Sequence, residues 1–202
     1  MAAVPTTAWH ITMDINGEPY PTRHYAPDVE GTSDACFNLP PRQLDYLRAI
    51  HEAGHAVTAL AGRAHLHYAQ IVKGPATSTQ GGVTDCCSRF ADGQAFAVFS
   101  AAGERASDRW LREAGLWTPE RAVAVEVGSH GDRHLFLSIN PHVGFGDKQI
   151  DYRVLHDLAD AALDKHWAAT VRVADALAAT GHLTGDDIAT LADLPNGTHT
   201  AA

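Results

Sequence analysis

From Asp147 to Thr180 the sequence contains neither Pro nor Gly and is rich in Ala, Leu and Asp. A run of that length without a breaker exceeds an ordinary strand and predicts one long helix or two abutting ones. Gly181 stands where such a helix would close. Thr184 opens a last short helix over Gly185–Asp193, with Asp187 in the capping-box position. A chain committed to so long a helix must bury its apolar face against others, and the sequence supplies them. Leu44, Leu47, Ile50, Gly54, Val57 and Leu60 recur at three- and four-residue steps, which predicts a helix over about 42–62. Pro40 and Pro41 suit its start and Gly62 its end. A further helix is expected from Asp92 to Ala114, its apolar face built from Phe96, Phe99, Ala102 or Gly103, Ala106 and Trp110. Thr118 and Pro119 open another, with Thr118 as N-cap. The stretch GSHGDRHLFLSIN (128–140) adds a helical piece stopped by Pro141. Two short strands, within 65–75 and 79–88, are expected to meet through a Gly74-Pro75 turn. The fold class is therefore α+β, mainly α-helical, with a small β-sheet and a C-terminal helical bundle.

Residues 1–40 read differently. Five prolines and few periodic apolar positions predict a partly unstructured or surface-lying extension, with a possible strand pair around Asn16-Gly17. The main domain is expected over 41–195 and a tail over 196–202. Hydrophobic residues make up 45 % of the 202, enough for one ordinary core. A net charge of −9 argues against a nucleic-acid partner. No stretch approaches the roughly 20 apolar residues of a membrane span. The N-terminus lacks a basic start followed by an apolar run, and the three cysteines are an odd number, so a cytoplasmic location is expected.

The sequence also contains 13 histidines, and two of them carry the most specific signal. His51-Glu52-Ala53-Gly54-His55 falls within the 42–62 helix, where positions i and i+4 lie one turn apart on the same face. Two imidazoles so placed can grip one zinc ion. Glu52 beside them can act as general base on water at the metal. A catalytic zinc takes three protein ligands and one open position. Glu104, Asp108, Glu126, His130, Asp132, His134 and Cys36 are the candidates for the third. The metzincin extension is absent, since AVTALAGRAH follows His55. His65, His67, His142, His156 and His166 lack partners at ligand spacing and read as surface or satisfied core residues. Cys86 and Cys87 read as small buried hydrophobes.

IHEAGHAV, followed by a strand, a GGVT segment and a Gly-Ala-rich helix, resembles the zinc peptidase domain of the FtsH family of ATP-dependent proteases. VADALAATGHLTGDDIATL is similar to that domain's closing helices, and the resemblance runs from Arg42 to Asp193. It implies an FtsH peptidase-like fold built round a metal-binding helix. It also implies a zinc-dependent metalloendopeptidase acting on unstructured or exposed protein segments. The family's third ligand is an aspartate downstream of the Gly-Ala-rich helix. The resemblance therefore favours Asp132 over Glu104, with His130 and His134 as alternatives. It further places Gly81, Gly82 and Val83 on an edge strand beside the metal, where a substrate backbone could add.

The sequence departs from the family in lacking a G-x-x-x-x-G-K-[ST] loop, and the polar positions of AAGERASDRW are altered. A stand-alone peptidase is expected, working on loose segments or with a separate unfoldase, and a homo-oligomer would follow the family. Two other readings compete: a catalytically silent zinc-binding regulatory or interaction module, and a non-peptidase zinc amidohydrolase. A fourth protein ligand would favour the first of these, because structural zinc sites are closed.

Overall fold

The computed structural model describes residues 8–14, 16–26, 34–74 and 81–199. A hairpin of β1 (His10–Met13) and β2 (Pro19–Thr22) leads through a single helical turn, α1 (Asp34–Phe37), into α2 (Pro41–Ala61). Strands β3 (Leu66–Ile71) and β4 (Gly82–Cys86) follow, then α3 (Gly93–Glu113), α4 (Pro119–Gly128) and α5 (His130–Ile139). Two-residue strands β5 (Val143–Gly144) and β6 (Ile150–Asp151) precede α6 (Arg153–Thr180), β7 (His182–Thr184) and α7 (Gly185–Ala192). The protein is mainly α-helical with a small sheet, as its sequence predicts.

Helix α2 is the centre of the molecule. It packs against both α3 and α6, which also pack on each other. Ala49, Ile50, Ala53, Ala56, Val57 and Ala59 are completely buried. Small residues on α2 let α3 come close. A Cβ built at Gly54 would lie 2.7 Å from the Ala102 carbonyl oxygen and 2.8 Å from the Ala106 Cβ. That position is glycine because α3 already fills the space. Leu163, Val173 and Leu177 of α6 close the same core from the other side, with Leu66, Leu183 and Ile188.

Local chemistry sets the helix ends. Asp92 accepts from the Ala95 N–H and Thr118 from the Arg121 N–H. Thr184 and Asp187 form a reciprocal capping box, and Gly181 ends α6 with a φ of 82°. Near the C-terminus the fold differs from the sequence reading at α6 and β7. Helix α6 is one helix, but it begins at Arg153, not Asp147. The Asp147 carboxylate accepts from the Phe145 N–H, and the Tyr152 N–H donates to Gly144 O, so residues 143–152 are spent on a turn and a parallel strand pair. Strand β7 was not anticipated. It is three residues long and pairs antiparallel with β3, Tyr68 opposite Thr184 and Gln70 opposite His182.

The sheet order is β4-β3-β7, so β4 is an outer strand. Its register sets Ile71 opposite Gly82 and Tyr68 opposite Asp85. Gly74 is described, but Pro75 and the rest of the expected turn lie outside the described residues. In the N-terminal arm, Asp14 accepts from the N–H groups of Asn16 and Glu18 beside Gly17, whose φ is 77°. Tyr20 and Ala26 are buried against Val123 and Val127 of α4, so this part of the arm packs into the protein. Among the described residues, no helix is long and apolar enough to cross a membrane.

Candidate metal centre

His51 and His55 project from consecutive turns of α2, and their Nε2 atoms stand 3.1 Å apart. The first turn of α5 brings Asp132 to both, its Oδ2 lying 3.3 Å from each Nε2. One ligand atom from each of the three falls within 4.8 Å of the others. The His55 Nδ1–H donates to the Phe99 carbonyl at 2.7 Å, which fixes the ring and leaves Nε2 as the ligating nitrogen. His51 and Asp132 keep 21 % and 34 % of their side chains exposed, so solvent reaches the group.

These residues fit a zinc ion. Two imidazoles and a carboxylate are a zinc donor set with a position left for water or substrate. Gly103 supplies the space. A Cβ there would lie 2.6 Å from His51 Nε2 and closer still to His55 Nε2, so any side chain on that turn of α3 would displace the imidazoles. Charge points the same way. Burial works against protonating His55, but the adjacent Asp132 carboxylate outweighs it and raises the imidazole to about 9. Burial would raise Asp132, yet His55 and the hydrogen bonds from both imidazoles hold it far below the ordinary carboxylate range. A bound divalent cation would take the place of the protons that this cluster attracts.

Glu52 occupies the neighbouring position on α2, buried beneath the outer strand. Its Oε2 accepts from Thr84 Oγ1 of β4 at 2.8 Å. Burial raises its pKa, while His51, His55 and the Thr84 hydrogen bond partly oppose that shift. A carboxylate raised in this way is better suited to hold a proton during a reaction. Gly82 lies directly against it, since a Cβ there would be 2.6 Å from Glu52 Oε1. Gly81 lies against the Arg48 side chain, and Val83 pairs with Gln70, half-buried.

The other candidate ligands are engaged elsewhere. Glu104 is buried 2.8 Å from Arg133 Nε and 3.1 Å from His156 Nε2. Asp108 accepts from Arg112, Arg105 and Trp117. Glu126 accepts from the Arg23 N–H and from Arg133, and lies 2.8 Å from His24 Nδ1. His130 is exposed, 3.6 Å from Asp14, and stacks on His134. Neither these two histidines nor Cys36 of α1 belongs to the donor group. The sequence carries no sign of the Thr84 contact. It also read His65 and His67 as surface or core histidines, whereas both belong to a second donor group with His199.

No protein-family model matches the chain, and a search of curated proteins finds no match either.

Proposed function

We propose that the protein is a zinc-dependent metalloendopeptidase of the FtsH peptidase type, acting on unstructured or exposed segments. The observation that carries this reading is one juxtaposition. His51, His55 and Asp132 converge at a solvent-reached point, and the buried carboxylate of Glu52 lies on the same turn of α2. Zinc bound by the three would supply a Lewis acid that lowers the pKa of its water to about 7. Glu52 takes the proton of the attacking water at its carboxylate and delivers it to the nitrogen of the leaving amine. Thr84 holds that carboxylate in place through the 2.8 Å hydrogen bond. The outer edge of β4 is the natural seat for an extended substrate. Its strand position offers main-chain hydrogen bonds, and Gly81 and Gly82 keep the approach clear next to Glu52. Only a loose segment can add to a strand edge, so a folded substrate would need a separate unfoldase. A cytoplasmic location belongs to the same proposal.

The test is hydrolysis of a fluorogenic, unstructured peptide by the purified chain. Stripping metal with a strong chelator abolishes cleavage, and Zn2+ restores it where Mg2+ does not, because the donors suit zinc better than a hard cation. Cleavage that survives complete metal removal would overturn the proposal.

A further inference from the structure

A second group of side chains converges outside the centre described above. His65 and His67 are two residues apart at the start of β3 and flank the buried Leu66, so they share the other face of the strand. The β3–β4 register shifts between Leu66 and Tyr68, a bulge at the position of His67. His199 comes from the C-terminal tail. The three imidazoles form a triangle with ring centroids 5.0, 5.0 and 5.3 Å apart and interplanar angles of 78°, 87° and 72°. One ring nitrogen from each lies within 4.8 Å of the others. Rings set nearly perpendicular to one another point nitrogens at a common space instead of stacking.

The tail is built into place. Asn196 brackets Leu66, its Oδ1 accepting from the Leu66 N–H at 2.8 Å and its Nδ2 donating to the Leu66 carbonyl at 3.0 Å. The Gly197 N–H donates to Ala64 O, and a Cβ at Gly197 would lie 2.7 Å from the Ala64 carbonyl carbon. The Gly197 carbonyl in turn accepts from His65 Nδ1–H at 2.7 Å. That bond sets the His65 tautomer with Nε2 free to ligate, the arrangement in which metal-binding histidines are held. Among the described residues, no carboxylate forms an ion pair with any of the three histidines. Neutral imidazoles so placed can share a cation. Cys87 lies beside this group without being one of its convergent donors. Its N–H bonds to His65 O, and its Sγ lies 3.4 Å from His67 Nε2. Its neighbour Cys86 packs instead against the main core, where burial pushes the thiol up to about 11.

We infer that His65, His67 and His199 form a site for a borderline-soft divalent ion, Zn2+ or its analogue Co2+, that fastens the C-terminal tail to β3. Three imidazoles are a donor set that zinc accepts. The site shares no residue with the His51–His55–Asp132 group and stands or falls separately from the proposed peptidase activity.

The experiment is metal counting on the full chain, reconstituted with Zn2+, dialysed and measured by elemental analysis, with Co2+ spectra in parallel. The wild type should hold two zinc ions per chain. His67→Ala and His199→Ala should each lose one and keep peptide hydrolysis, and Asp132→Ala should lose the other. The visible Co2+ absorption of the wild type should fall in His199→Ala. Unchanged zinc content in both His67→Ala and His199→Ala would overturn the site. If Asp132→Ala keeps its zinc while His199→Ala loses one, the second site stands and the catalytic centre falls.

Discussion

Glu52→Gln should retain zinc at His51, His55 and Asp132 and lose peptide hydrolysis by about 10²–10⁴-fold, the usual contribution of a positioned general base. The substitution is nearly isosteric. The amide oxygen can still accept from Thr84 Oγ1, and a neutral group suits the buried position, so α2 and β4 keep their packing. What disappears is the ability to take a proton from water and return it to the leaving amine. The measurement is kcat/KM for an unstructured peptide, with zinc content determined on the same samples. A rate within a few-fold of wild type would take the base role from Glu52. Loss of zinc together with rate would show a structural role instead.

Arg133→Met should cost about 3–5 kcal/mol of stability, the usual consequence of removing one partner from a buried ion pair. Arg133 is 1 % exposed. Its Nε donates to Glu104 at 2.8 Å, one terminal nitrogen to Glu126 at 3.1 Å and the other to the Pro21 carbonyl at 2.8 Å. One guanidinium therefore ties α5 to α3, α4 and the N-terminal hairpin, and it follows Asp132 in the chain. Methionine fills part of the volume but leaves Glu104 and Glu126 buried without their cation. The pH dependence has a definite sign. In the wild type, burial would raise Glu104, but Arg133 and His156 hold it well below the ordinary range. Its contribution is thus fully present above the unfolded carboxylate pKa of about 4.3 and is lost as pH falls through the lower folded value. In the variant burial dominates, the folded pKa rises, and protonating Glu104 relieves the penalty. The stability gap between wild type and variant should be widest near neutrality and shrink on acidification through the carboxylate range. Equilibrium denaturation with chelator present, so that metal binding does not contribute, measures it. A gap that is constant with pH would mean that Arg133 acts through packing alone.

How much of the molecule could be read from its sequence depended on how locally each feature is encoded. The caps at Thr118 and Thr184 and the stop at Gly181 are settled within a few residues, and so they were legible. His51, Glu52 and His55 are likewise one turn of one helix. The small residues between the histidines also carried information, because α3 crosses at Gly54. The third ligand was a different problem. Glu104, Asp108, Glu126 and Asp132 are all downstream carboxylates, and nothing in their spacing separates them. Arginines separate them in the fold, since Arg133, Arg112 and Arg105 engage the first three while Asp132 faces the imidazoles. The start of α6 was misplaced because freedom from Pro and Gly permits a helix without requiring one, and the Asp147 carboxylate closes a turn just upstream. The second histidine group was out of reach for a similar reason. His65 and His67 show only strand spacing, and the partner that completes them arrives on a tail held by Asn196.

The central claim is that His51, His55 and Asp132 bind one zinc ion and leave a position open beside Glu52. Anomalous X-ray scattering at the zinc edge, from crystals of the zinc-loaded protein, tests it most directly. The expected result is a peak about 2.0–2.2 Å from both Nε2 atoms and an Asp132 oxygen, with no fourth protein ligand. A zinc-loaded crystal with no peak between these three residues, or with a fourth side chain closing the site, would contradict it.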